Sequence, residues 1–400
     1  RWMEHPFWTN EKRITSEKEI KRLKDYGVLE IYIDTERGLD LADLENEQPS
    51  SPPPLEQTAA PPEEMPFVRA REGESLQEQV PLEQEVVSAG RVLQEAHLVV
   101  RDLMNDIRSG RKIRSETVKR VVNRMIDSIL RNRDALSSLS RIKGYDEYTF
   151  VHSINVCVFC LGLGRDLGFG REELEQIGIG ALLHDIGKMR VPRHILMKPA
   201  RLTEGEFAEM KNHTLYGVEI LDQTEGIPEE SKKVAREHHE RHNGKGYPAG
   251  TKGDEISRFG QMAAIIDVYD AITSVRCYRK PISPYEGMRH IYRVAGEDFN
   301  PILVERFIQC VGIYPVGTLV QLDTGEVGII SSVNRSRLLR PRVLLLPSIG
   351  SPAVNAALVD LMEKDHMEDR YKRTILRPLD PGFMNIDANR YLPGLNKTPH

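Results

Sequence analysis

Apolar residues at Leu82, Val86, Ala89, Leu93, Ala96, Val100, Leu103 and Ile107 recur in alternating steps of four and three. That spacing is the seam of a packed helix pair or a coiled coil, and it predicts a helix from Leu82 to Arg108. Two covers are open to the stripe: other helices of the same chain, or a second copy in a homodimer whose seam runs from Leu82 to Ile107. Gly110 ends the pattern. Val118, Val121, Val122, Met125, Ile129 and Leu136 then predict an antiparallel partner over 115–139.

Helical periodicity continues through 145–167, 172–186, 204–223, 229–240, 257–275 and 284–295. Thr203 and Glu206 have the spacing of a capping box. From Tyr314 the period shortens, and 318–322, 327–333 and 342–346 read as strands separated by turn residues such as Asp323, Gly325 and Asn334. A short helix is expected over 354–363, followed by a tail rich in Pro, Gly and Asn. At the other end, 16–26 reads as a helix and 28–33 as a strand. Between 43 and 66 the chain is acidic and holds Pro49, Pro52, Pro53, Pro54, Pro61 and Pro62, the composition of a linker. The fold class is therefore mainly α, in five segments. These are a partial N-terminal α/β unit (1–40), an acidic proline-rich linker (41–80), a helical hairpin (81–140), an all-helical core (141–312) and a small C-terminal β appendage with its tail (313–400).

Composition narrows the partners. The chain has 400 residues and a formal charge of −5, without the basic stripe that nucleic-acid binding requires. No run approaches the roughly 20 apolar residues of a membrane span, and no signal-peptide pattern opens the chain. Starting at Arg1, it reads as a chain missing its first residues. The four cysteines are Cys157, Cys160, Cys277 and Cys310. Cys157 and Cys160 form a C-x-x-C without a second pair, inside an apolar helical run, and are expected as buried core thiols. A reducing cytoplasm suits them.

Chemistry concentrates at 181–190, which reads Ala-Leu-Leu-His-Asp-Ile-Gly-Lys-Met-Arg. His184 and Asp185 bring an imidazole and a carboxylate to one small volume, and the carboxylate has two oxygens with which to bridge divalent ions. Lys188 follows within a helical turn. His152, His213, His238, His239, Asp267 and Asp270 lie in or beside other apolar helical stretches. Any one of them is ordinarily a satisfied core or surface residue. Together they would bury several polar rings without purpose unless they share ligands.

Those residues, with Gly244-Lys245-Gly246-Tyr247-Pro248, Lys198-Pro-Ala-Arg-Leu-Thr and Ser274-Val-Arg276-Cys-Tyr-Arg279, resemble the HD-GYP family of the HD metallophosphohydrolase superfamily over roughly 140–312. The resemblance implies an HD-type metal-binding core and a bacterial phosphodiesterase that converts cyclic di-GMP to pGpG, with cleavage on to GMP as an open alternative. It implies two divalent transition-metal ions, iron or manganese, since imidazole and carboxylate ligands suit these. Asp185 would bridge them, with His152, His184 and Asp267 on one ion and His213, His238 and His239 on the other. Lys188 would neutralise phosphoryl charge beside Asp185 in catalysis. Arg276, Arg279, Tyr247 and Asp270 would bind substrate, and the loop at Tyr247 would meet a GGDEF-domain partner.

Two departures stand out. Where some members carry a glutamate and hold a third metal, this chain has Tyr148, which favours two ions. The usual Trp and Asp of the loop are replaced by His242 and Asn243, which touches substrate fit and leaves the ligands intact. His242, His194 and His290 are expected as loop, structural or exposed residues. Two other readings stand beside the enzyme: a cyclic di-GMP sensor with little turnover, and a hydrolase of another cyclic dinucleotide or of a nucleotide monophosphate.

Overall fold

The structure, a computed structural model, describes residues 78–140, 148–274, 281–346, 357–365 and 370–379. The chain divides into two units at Glu64 and Met65, and every described residue lies in the second. The helix and strand expected at 16–33 fall outside the described residues, as does the linker before residue 78.

Helix α1 (Leu82–Arg108) has the predicted bounds. Ala89, Leu93, Ala96, Val100 and Leu103 are buried in the main core of this same chain, so the stripe read as a possible dimer seam is covered internally. One seam-side residue is charged. Glu85 accepts from Ser128 Oγ at 2.7 Å and from Arg131 Nε and Nη2 at 2.7 and 2.8 Å. The antiparallel partner expected over 115–139 is two helices, α2 (Ser115–Arg131) and α3 (Arg133–Ser140). Asn132 separates them in an extended conformation, φ −153° and ψ 115°. Its amide donates to Val80 O, and its side-chain oxygen accepts from Asp134 N, the local bonding that makes Asn a helix breaker and starter.

The core continues with α4 (Tyr148–Asp166), α5 (Arg171–Leu183), α6 (Arg193–Leu196), α7 (Glu204–Lys211), α8 (His213–Asp222), α9 (Glu229–Glu237), α10 (Arg258–Thr273), α11 (Pro284–Arg293) and α12 (Pro301–Val311). The capping box forms at Thr203 and Glu206. Two expected helices are broken, and both breaks place residues of the His/Asp cluster. The run 172–186 stops at Leu183, and a 3-10 turn, Ile186–Met189, follows the His184–Asp185 pair. The reason is proximity. A Cβ on Gly187 would stand 1.9 Å from His213 O and 2.4 Å from Gly217 N, so this turn lies directly on the α8 backbone. The run 204–223 changes pitch at Asn212, whose N–H bonds to Glu209 O, and the shift starts α8 at His213. Helix α12 went unpredicted, although Asn300 caps it and Pro301 opens it. Cys157 and Cys160 are fully buried thiols, as expected.

The appendage is one antiparallel sheet in the order β4-β3-β2-β1-β5, built from β1 (Leu319–Leu322), β2 (Val327–Ser332), β3 (Arg342–Leu345), β4 (Leu358–Asp360) and β5 (Ile375–Leu379). The first three match the alternation read from sequence. The helix expected over 354–363 is corrected: Leu358, Val359 and Asp360 pair with Leu344, Val343 and Arg342. A three-residue strand on a sheet edge is too short to show a period. The appendage core takes in Tyr285 from α11, stacked on Tyr314 with centroids 5.4 Å apart. Arg335 also reaches Asp134 of α3, at 2.6 Å.

Candidate metal centre

Five elements converge on one buried volume. Helix α4 brings His152, the end of α5 brings His184 and Asp185, and the first residue of α8 is His213. The end of α9 brings His238 and His239, and α10 brings Asp267. His184, Asp185, His213 and His238 are at most 1% exposed.

The two oxygens of Asp185 face opposite ways. Oδ2 lies 3.4 Å from His184 Nε2 and 3.8 Å from His152 Nε2. Oδ1 lies 3.5 Å from His213 Nε2 and 3.7 Å from His238 Nε2. The groups His152, His184, Asp185 and Asp185, His213, His238, His239 each gather their ligand atoms within 4.8 Å. Asp267 adds Oδ1 at 3.0 Å from His152 Nε2 and Oδ2 at 3.8 Å from His239 Nδ1.

The ring tautomers follow from the far side of each imidazole. His184 Nδ1 lies 2.7 Å from Ala181 O and His213 Nδ1 2.7 Å from Met210 O, while His238 Nδ1 lies 3.1 Å from Val234 O and Ala235 O. Carbonyl oxygens only accept, so Nδ1 carries the proton in all three rings and Nε2 presents a lone pair. His213 Nε2 and His238 Nε2 then face each other at 3.2 Å, and His184 Nε2 and Asp185 Oδ1 are buried without a hydrogen-bond partner. Lone pairs aimed at one another in a dry site are costly, and a divalent cation between them removes the cost. The donor set fits divalent metal binding.

Burial pushes His213 down to about 3 and lowers His238 and His239, which keeps these rings neutral, the form that ligates. For His152 burial also opposes charge, but Asp267 and Asp270 outweigh it and raise the ring to about 9. At Asp185 burial favours the neutral acid, and Lys188 and His184 reverse this and hold it well below the usual carboxylate range.

Lys188 Nζ sits 2.5 Å from Asp185 Oδ2 and is 25% exposed, at the open side of the cluster. Tyr247 lies flat on His239, centroids 4.7 Å apart and 28° between planes. Burial pushes its phenol up, so the hydroxyl is a hydrogen-bond donor at neutral pH. The loop behind it folds tightly onto the ligand segment. A Cβ on Gly246 would meet Arg241 N at 2.4 Å and His239 O at 2.5 Å, and Glu240 Oε1 accepts from Ala249 N and Gly250 N. His242 and Asn243 tie the loop to Asp298 through His242 N and Asn243 Nδ2, as loop residues do.

Asp270 sits on the opposite side of His152 from Asp267. It is 2% exposed and lies behind His152, with Oδ2 2.8 Å from His152 Nδ1 and Oδ1 accepting from Asn155 Nδ2 at 2.9 Å. Its carboxylate holds the Nδ1 side of the His152 ring. The three-residue spacing from Asp267 placed both carboxylates near the site but could not say which stood in front. Asn155 was not singled out at all, although its place one turn after His152 is the available signal. Arg276 and Arg279 lie outside the described residues.

A sequence model described as an HD domain matches residues 123–303, and one described as a domain of unknown function, DUF3391, matches residues 1–118. A Pseudomonas aeruginosa protein named cyclic di-GMP phosphodiesterase PA4108 is 36% identical over 365 residues, which cover 90% of this chain and 84% of that one. The chain belongs to the HD-GYP family. Other relatives match over about half of this chain. A Vibrio cholerae protein named 3'3'-cGAMP-specific phosphodiesterase 2 is 32% identical over 190 residues, 47% of this chain and 36% of its own length. The Xanthomonas campestris response regulator RpfG, named a cyclic di-GMP phosphodiesterase, is 33% identical over 181 residues, 45% of this chain and 48% of its own. Among solved structures, the HD-GYP protein Bd1817 of Bdellovibrio bacteriovorus overlaps with a TM-score of 0.47 at 16% identity, covering 56% of this chain and 71% of that one.

Proposed function

We propose that this HD-GYP chain is a phosphodiesterase that depends on two divalent ions, iron or manganese, and hydrolyses cyclic di-GMP to pGpG and on to GMP. The observation that carries the reading is the buried convergence of imidazole Nε2 lone pairs on both oxygens of Asp185. His152, His184 and Asp267 would complete one ion and His213, His238 and His239 the other. A divalent pair supplies, when bound, charge neutralisation at phosphoryl oxygens and a water of lowered pKa. The chain's own groups do the rest. Lys188, at the mouth of the cluster, exchanges its contact with Asp185 for a phosphoryl oxygen as negative charge develops. Tyr247 donates its hydroxyl to a phosphate oxygen, and Arg276 with Arg279 holds the second phosphate by charge-assisted contacts. Tyr148 in place of a glutamate keeps the count at two ions. The loop at Tyr247 is the surface offered to a GGDEF-domain partner, and the cytoplasm is the compartment where such a substrate is met.

A second substrate, 3'3'-cGAMP, is supported by the Vibrio cholerae relative named for it. Both substrates share the phosphodiester ring and differ in one base. The test is turnover of each by protein loaded anaerobically with iron or manganese, with products resolved and metal counted. Cyclic di-GMP should be cleaved faster, with about two ions per chain. Faster cleavage of 3'3'-cGAMP would overturn the assigned substrate, and metal-loaded protein inert to both would overturn the enzyme.

A further inference from the structure

Beside the histidine cluster stands a group of side chains that metal binding does not use. Phe207 and Lys211 are four residues apart on α7, hence on one face of the helix. Lys211 Nζ lies 5.3 Å from the Phe207 ring centre and 5.8 Å from that of Tyr247. The two rings meet edge to face at 6.4 Å and 81°, and Tyr247 in turn lies on His239. All three side chains are half-buried. The rings of His239, Tyr247 and Phe207 therefore form a step, with an ammonium along its edge.

That ammonium is uncommitted for a definite reason. Two of the three carboxylates of its own helix are turned elsewhere: Glu206 to Lys198 Nζ and Thr203 N, Glu209 to Tyr216 Oη and Asn212 Nδ2. None of the ion pairs among the described residues includes Lys211. A lysine stem lying along rings is ordinary surface packing. It becomes unusual where the ammonium enters no ion pair among the described residues and the rings border a phosphodiester site.

We infer that Phe207 and Lys211 form a subsite for one purine base and the phosphate next to it, and so set the preference for a cyclic purine dinucleotide over a simple phosphodiester. This rests on the phosphodiesterase reading. Phe207 supplies a stacking face, which serves any purine because every base has a π surface. Lys211 supplies a point charge whose alternative partner, a ring quadrupole, is weak at a half-exposed position, so a phosphate displaces it readily.

The test compares wild type with Phe207→Leu, which keeps an apolar side chain and loses the stacking face, and with Lys211→Gln. Metal content is measured on each, together with Kd for cyclic di-GMP by equilibrium dialysis and the kcat and KM of its turnover. Phe207→Leu should keep its metals and raise Kd and KM about tenfold, within the range of one base–aromatic stack, with a smaller change in kcat. Lys211→Gln should weaken binding severalfold and flatten its dependence on salt, since screening acts on the removed charge. Kd and KM within twofold of wild type in both variants would overturn the subsite while turnover upheld the enzyme. A fall in metal content and kcat at unchanged KM would also overturn it, by showing that the rings only prop the ligands. Wild type that binds cyclic di-GMP without cleaving it would overturn the phosphodiesterase alone, because weaker binding by Phe207→Leu would still support the subsite. Wild type that neither binds nor cleaves it would overturn both.

Discussion

Asp270 shows how far one residue's role depends on which side of its neighbour it occupies. From sequence it shares the site with Asp267; in the structure the two carboxylates hold opposite nitrogens of His152, Asp267 on Nε2 and Asp270 on Nδ1. A carboxylate behind a ligating imidazole fixes the tautomer and the ring plane, and losing such a partner typically costs about 10–100-fold in metal affinity. Asp270→Asn should therefore fold, keep cyclic di-GMP binding at saturating metal, and need roughly that much more iron or manganese for half-maximal loading. Metal titration followed by elemental analysis checks this. Loading indistinguishable from wild type would return Asp270 to the role of a residue without influence on the site. Asn155, bonded to the other oxygen of Asp270, belongs to the same chain of contacts and should show a weaker version of the effect.

At the scale of elements, the pairing of α1 with α2 rests on an apolar seam and one buried charged contact, with Arg120 and Arg124 also reaching Glu95 at the surface. Glu85 is 4% exposed in its side chain and Arg131 35%, so removing the cation leaves a carboxylate buried with Ser128 as its remaining partner. Arg131→Met should cost about 2–3 kcal/mol, below the full penalty of a wholly buried pair because Arg131 is partly in water. Urea unfolding measures it, and a change under about 0.5 kcal/mol, the size of an ordinary surface substitution, would refute it. The seam itself was legible because its period persists over 27 residues. The interruptions at Asn132, Leu183 and Asn212 were not, because each is set by a contact distant in sequence or by local bonding: Asn132 with Val80, Gly187 with the α8 backbone, Asn212 with Glu209. The histidines and aspartates of the cluster were readable as motifs. Their assignment to the front or back of the site was not, since spacing along a helix fixes a face and not a depth. Short edge strands such as β4 carry too few residues for any period to emerge.

Over the whole molecule, the five segments read from the sequence suggest a core that ends at residue 312 and an appendage that begins there. The packing crosses that line. Tyr285 of α11 is buried with Tyr314, Val320 and Ile330, and Arg335 holds Asp134. Helix α11 also lies hard against α10, the helix of Asp267 and Asp270: a Cβ on Gly287 would stand 2.3 Å from Thr273 Cγ2 and 3.2 Å from the Tyr269 ring. Protein shortened to residue 312 should melt at a lower temperature than the full chain and hold less metal at equal loading. Calorimetry and elemental analysis give the answer, and an unchanged melting temperature with two ions retained would show the sheet to be dispensable. The stacked tyrosines thus bear on heredity as well as on stability. A recombination event at residue 312 would carry off a metal site whose supporting helix had lost its outer cover, so descendants that keep the chemistry are those that inherit helices and sheet together.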